Sequence, residues 1–164
     1  MDLKGIHQFG QVMERQLSEL GIESTYVEGI GSPQIGDTLR ILFPVTEEGH
    51  PVIAELMVTE FAEDVDLLHF YTTLIVEMND KADNLPELLS DWNLLCPLGA
   101  YGIYVDEEDE EQGRQLFHKY SIAFPVDATP AALANEAMQT LSLLYGVLSE
   151  KYEEFAEYMA DEDE

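Results

Sequence analysis

Leu67-Leu-His-Phe-Tyr-Thr-Thr-Leu-Ile-Val-Glu-Met78 decides the fold, because its side chains alternate in character with a period of two. Leu68, Phe70, Leu74, Val76 and Met78 fall on one side, with His69, Tyr71 and Thr73 on the other, as in a strand with one face against a core. The same period runs upstream. Val52 to Phe61 places Val52, Ala54, Leu56 and Val58 on one face and a mixed set on the other, and Thr38 to Val45 aligns Leu39, Ile41 and Phe43. Ser24 to Ile30 is a further strand, and the turn-rich Gly29, Gly31, Pro33 and Gly36 follow it. Glu47, Glu48, Gly49 and His50 make a hairpin-length link into Val52. Downstream, Ala100 to Val105 and Gln115 to Phe124 read as a second hairpin around an acidic turn, Asp106 to Gly113.

The flanking segments change to helical spacing. Asp2 caps a helix carrying Leu3, Ile6, Phe9, Val12, Met13, Leu17 and Leu20, with Gly21 at its C-terminal cap. Asn84 with Glu87 opens a short second helix bearing Leu88, Leu89, Trp92 and Leu95, closed by Pro97 and Gly99. Thr129 and Pro130 begin a third, with a stripe of Leu133, Ala137, Leu141, Leu144, Leu148, Tyr152, Phe155 and Met159. The expected architecture is α+β: an antiparallel sheet of five to six strands with N-terminal, middle and long C-terminal helices. Residues 1–160 form one domain and 161–164 an acidic tail.

The third helix carries the functional expectation. Roughly thirty residues at ~1.5 Å rise extend about 45 Å, beyond the ~30 Å of a small domain. The first half, Leu133 to Leu148, packs on the sheet. The second half keeps Tyr152, Phe155, Tyr158 and Met159 among many acids, although negative charge near a helix C-terminus opposes the macrodipole. Dimer packing, a basic partner or docking on the first helix each compensates, and Leu148, Tyr152, Phe155, Tyr158 and Met159 are the candidate partner-binding residues.

Composition narrows the class further. Thirty-four acids against seven basic residues give a formal charge of -27, which excludes a phosphate-binding surface for nucleic acid and is repelled by anionic membranes. The chain has one cysteine, Cys96, so it has neither an internal disulfide nor the sulfur for a zinc site. Cys96 reads as a buried small hydrophobe without a basic neighbour in the local sequence. Met1 to Gly10 lacks a signal-peptide pattern, and the expected location is the cytoplasm.

Catalytic patterns are weak. His7, His50, His69 and His118 have no paired spacing; His69 and His118, with Tyr71 and Glu55, would have to meet across the sheet to do acid–base chemistry. The run Asp106 to Glu111 offers carboxylates to a cation, but Glu111 stands where a calcium loop needs glycine. Gly29-Ile-Gly31 lacks the third glycine of a pyrophosphate loop. A cofactor-free, metal-free protein without enzymatic activity is expected.

The element order, with Trp92-Asn93, then Gly99-Ala-Tyr-Gly-Ile-Tyr-Val-Asp106, the strand around Leu116 to Phe124 and the long final helix, resembles the YbjN family of bacterial proteins. The domain of that family is similar to type III secretion chaperones. The resemblance implies a non-enzymatic, often homodimeric domain that binds a partner polypeptide, as secretion chaperones hold a client segment in extended form. The alternatives are an acidic decoy that imitates nucleic acid before a basic protein, and a small hydrolase built on His69 and His118.

Overall fold

The computed structural model describes residues 1–29, 37–44, 52–79, 85–105 and 114–159. The hairpin turn at 47–50, the acidic turn at 106–111, Asn84 and the tail at 161–164 lie outside them. The elements are α1 (Leu3–Glu19), β1 (Ser24–Val27), β2 (Thr38–Phe43), β3 (Val52–Ala62), β4 (Val65–Ile75), α2 (Leu85–Leu95), β5 (Ala100–Tyr104), β6 (Gln115–Pro125) and α3 (Pro130–Ala156). The strands make a six-stranded sheet in the order β1-β2-β3-β4-β6-β5, with every neighbouring pair antiparallel. The α+β architecture expected from the sequence is the one observed.

Helix ends follow their capping chemistry. The Asp2 carboxylate accepts from the Gly5 amide at 2.7 Å, and the Thr129 hydroxyl accepts from the Ala132 amide at 3.2 Å, each satisfying a donor that the first turn leaves free. Gly21, at φ 73°, turns the chain out of α1 in the left-handed region that a side chain disfavours.

Alternation along the strands divides the sheet into two faces. Leu39, Ile41, Ala54, Leu56, Leu68, Phe70 and Leu116 are buried on one face, where they meet Phe9, Met13 and Leu17 of α1 and Leu133, Ala137, Leu141 and Leu144 of α3. Asp66 is buried on the same face, ion-paired with the Met1 ammonium. At Thr73/Ile75 the register shifts, so the alternation of the sequence breaks there. Leu74 and Ile75 are both buried, and Val76, expected inward, is exposed instead.

The opposite face has no helix on it among the described residues. Its half-buried and exposed side chains form rows across the strands: Leu42–Ile53–Thr73–Phe117, Arg40–Glu55–Tyr71–Lys119 and Met57–His69–Ser121. Phe117 lies over Gly102, whose missing Cβ would stand 2.5 Å from the ring, and stacks on Tyr71 at 4.8 Å.

Candidate functional site: an apolar groove beside the sheet

The end of α3 is placed differently from the sequence expectation. Leu148 and Phe155 are fully buried, and Tyr152, Tyr158 and Met159 are half-buried. The cover comes from the same chain. Trp92 of α2 meets Phe155 edge-on at 5.1 Å and Tyr158 at 5.9 Å, while Tyr101 of β5 lies 5.2 Å from Phe155. The Asn79 amide donates to the Tyr158 carbonyl at 2.9 Å, its side chain donates to the Glu157 and Met159 carbonyls, and Met78 bridges Met159. The helix of 27 residues, about 40 Å at ~1.5 Å rise, outruns the sheet by little, because β3, β4 and β6 each run eleven residues, roughly 37 Å at ~3.4 Å rise, and α2 covers the remainder. Leu148 and Phe155 are therefore core residues and offer nothing to a partner.

Asn93 closes part of the outer edge of β5. Its side chain accepts from the Tyr101 amide at 2.6 Å and donates to the Tyr101 carbonyl at 3.1 Å, so it pairs with the backbone as an added strand would. Trp92, its neighbour, fixes that geometry by packing against Tyr101 at 6.2 Å.

His69 and His118 do not meet. The pairing of Thr72 with His118 and of His69 with Ser121 sends the two rings to opposite faces. On the open face, His69 sits between the Thr59 and Ser121 hydroxyls at 2.8 Å each, while Glu55 is held by Arg40 at 2.9 Å. Burial first, then the nearby Lys119, lowers the His69 pKa. In the core, His118 donates from Nε2 to the Leu98 carbonyl at 2.6 Å, and its Nδ1 has no partner. Burial lowers its pKa, partly offset by that backbone bond.

The Cys96 thiol, half-buried, lies 3.8 Å from the same Nε2 and donates to the Leu98 carbonyl at 3.1 Å. A basic neighbour thus does approach Cys96, from a distant strand. That nitrogen already carries a proton engaged with Leu98, so it cannot take one from sulfur. A cavity of about 230 Å³ opens beside Cys96 and Tyr101, with Glu150 and Lys151 at its wall. Burial, and after it the adjacent Cys96, raises the Tyr101 pKa. Among the described residues no group of three His, Cys, Asp or Glu side chains could hold a metal ion, and no helix is long and apolar enough to cross a membrane.

The larger concavity lies where α1 ends against α3. It encloses about 410 Å³ and is lined by Leu17, Leu20, Ile22, Phe43, Pro44, Met138, Leu141, Ser142 and Tyr145. Leu17 and Leu141 form a buried floor, while Leu20 is 65% exposed and Tyr145 41%. Phe43 supports Tyr145 edge-on at 6.2 Å. The turn after α1 builds the far wall, because the Ile22 amide returns to the Leu17 carbonyl at 2.9 Å and tucks Ile22 beneath the helix end. A faint signal was in the sequence: Met138, Leu141 and Tyr145 form a second apolar line on α3, beside the main stripe.

No family model and no curated protein matches the chain. Among solved structures it is similar to the crystal structure of YbjN from E. coli, a proposed transcription regulator, at 15% sequence identity and a TM-score of 0.51. The match covers 92% of this chain and 95% of that one. The likeness thus runs nearly end to end, and the chain has the fold of YbjN.

Proposed function

We propose that the chain is a non-enzymatic, chaperone-like protein-binding module, self-associating and cytoplasmic, which holds a segment of a partner polypeptide in the groove between α1 and α3. The observation that carries the reading is the groove itself. It has an apolar floor and upstanding Leu20 and Tyr145, which is the form of a socket for one or two bulky anchors. Main-chain pairing at the β5 edge is a poorer mode, since Asn93 already occupies the backbone at Tyr101. Glu19 and Glu23 flank the groove residues Leu20 and Ile22 in sequence, and the chain carries a charge of -27. A segment with apolar anchors between basic residues matches both features.

A photo-crosslinking amino acid at Tyr145, with the same substitution at the exposed Leu94 as a control, tests this in living cells. Discrete polypeptide adducts from position 145 and none from 94 are expected. Equal labelling from both positions, or none from 145, would discard the groove. The decoy alternative rests on the charge of -27 alone. It predicts affinity that collapses with added salt, whereas an apolar socket retains most of its hold.

A further inference from the structure

The uncovered face of the sheet differs in charge from the rest of the molecule. In a chain with 34 acids, Glu55 is the one acid among the described strand positions of that face, and it is paired with Arg40 at 2.9 Å; Glu23, whose carbonyl accepts from the Leu42 amide, adds one exposed acid at the edge. Lys119 lies in the same row and is exposed. Tyr71 stands within this row and Leu42, Ile53, Met57, Phe117 and Tyr104 around it, half-buried or exposed and with no described helix above them. The apolar side chains are therefore gathered where the acids are fewest.

We infer that this face is the surface through which two copies of the chain associate, sheet against sheet. The inference rests on the self-associating part of the proposed function and places it apart from the groove. Charge selects the occupant. A basic partner finds far more attraction elsewhere on a molecule of charge -27, whereas an acidic partner comes closest where carboxylates are fewest. A second copy is such a partner, and it brings an acid-poor face of its own to the contact.

Size agrees with this. Six strands at ~4.8 Å spacing give a width of roughly 29 Å, and a mean length of about 27 Å makes a face of roughly 800 Å², the share one partner supplies to a standard stable interface. The two inner faces would then sit ~10 Å apart, as stacked sheets do. Phe117, seated over Gly102 and stacked on Tyr71, is the rigid anchor on the β6 side of such a contact.

The test is sedimentation equilibrium of the full chain. The unaltered protein is expected to be a dimer, and Phe117→Glu to weaken association about a hundredfold or more by forcing a charge into the contact. The double variant Leu42→Glu with Tyr104→Glu, at more exposed positions, should act in the same direction with the circular dichroism of the fold intact. Tyr145→Asp, in the groove, should leave the dimer unchanged. Raising salt from ~20 to ~300 mM should tighten the dimer, because it screens two negative bodies. A monomer at all concentrations, or a dimer indifferent to both face variants, overturns the inference. A dimer broken by Tyr145→Asp alone moves self-association to the groove and overturns it as well, whatever becomes of partner binding.

Discussion

Gly146 stands in the exposed middle of α3, and a Cβ built there meets nothing within 4 Å. Its only effect is the backbone entropy it loses on folding, so Gly146→Ala should stabilise the protein by about 0.5–1 kcal/mol, read as a higher urea midpoint. Gly99 is the opposite case. Its φ is 80°, and a Cβ would lie 2.3 Å from the Lys119 carbonyl and 2.7 Å from the His118 ring, which needs that space to reach Leu98. Gly99→Ala should therefore destabilise by more than about 1 kcal/mol.

His118 also sets a pH dependence. Its folded pKa is lowered from 6.5, so the unfolded chain binds the proton first as pH falls. Its contribution is fully present above about pH 6.5 and declines as pH drops through that value toward the lower folded pKa. Denaturation series of the protein and of His118→Gln should diverge above pH 6.5 and converge below it. Asp2, Thr129 and Gly21 were legible in the sequence because a cap is a local pattern. The contact of His118 with Leu98 and Cys96 was not, because it depends on which strand β6 pairs with and in what register.

At the scale of elements, α3 was legible in its start, stripe and length, but not in its surroundings. Comparison with the diameter of a generic small domain left its last turns without cover. The eleven-residue strands make the sheet nearly as long as the helix, and α2 folds over the remainder with Trp92. The aromatic cluster of Trp92, Tyr101 and Phe155 then explains how acids near the helix end are tolerated, since burial of Phe155 outweighs a few tenths of a kcal/mol lost to each unfavourable dipole contact. Phe155→Ala should cost about 3–5 kcal/mol of stability. A loss below about 1 kcal/mol in chemical denaturation would show that this end of α3 is not core.

For the whole molecule, period-two alternation revealed the sheet and one-sided burial, and the mixed face of Val52 to Phe61 is indeed the open one. Its poverty in acids emerges only when strands distant in sequence are set side by side. The same holds for the groove, whose walls come from the end of α1, β2 and the middle of α3. The two proposals use surfaces with opposite charge logic: an apolar socket in an acidic setting for a partner segment, and an acid-poor sheet face for a second copy.

Native mass spectrometry of the Tyr145→Asp protein, recovered from its own cells under mild conditions, tests the assignment of the partner to the groove most directly. The expected spectra are a dimer with a bound polypeptide for the unaltered protein and a bare dimer for Tyr145→Asp. A partner mass that persists undiminished on Tyr145→Asp would contradict it.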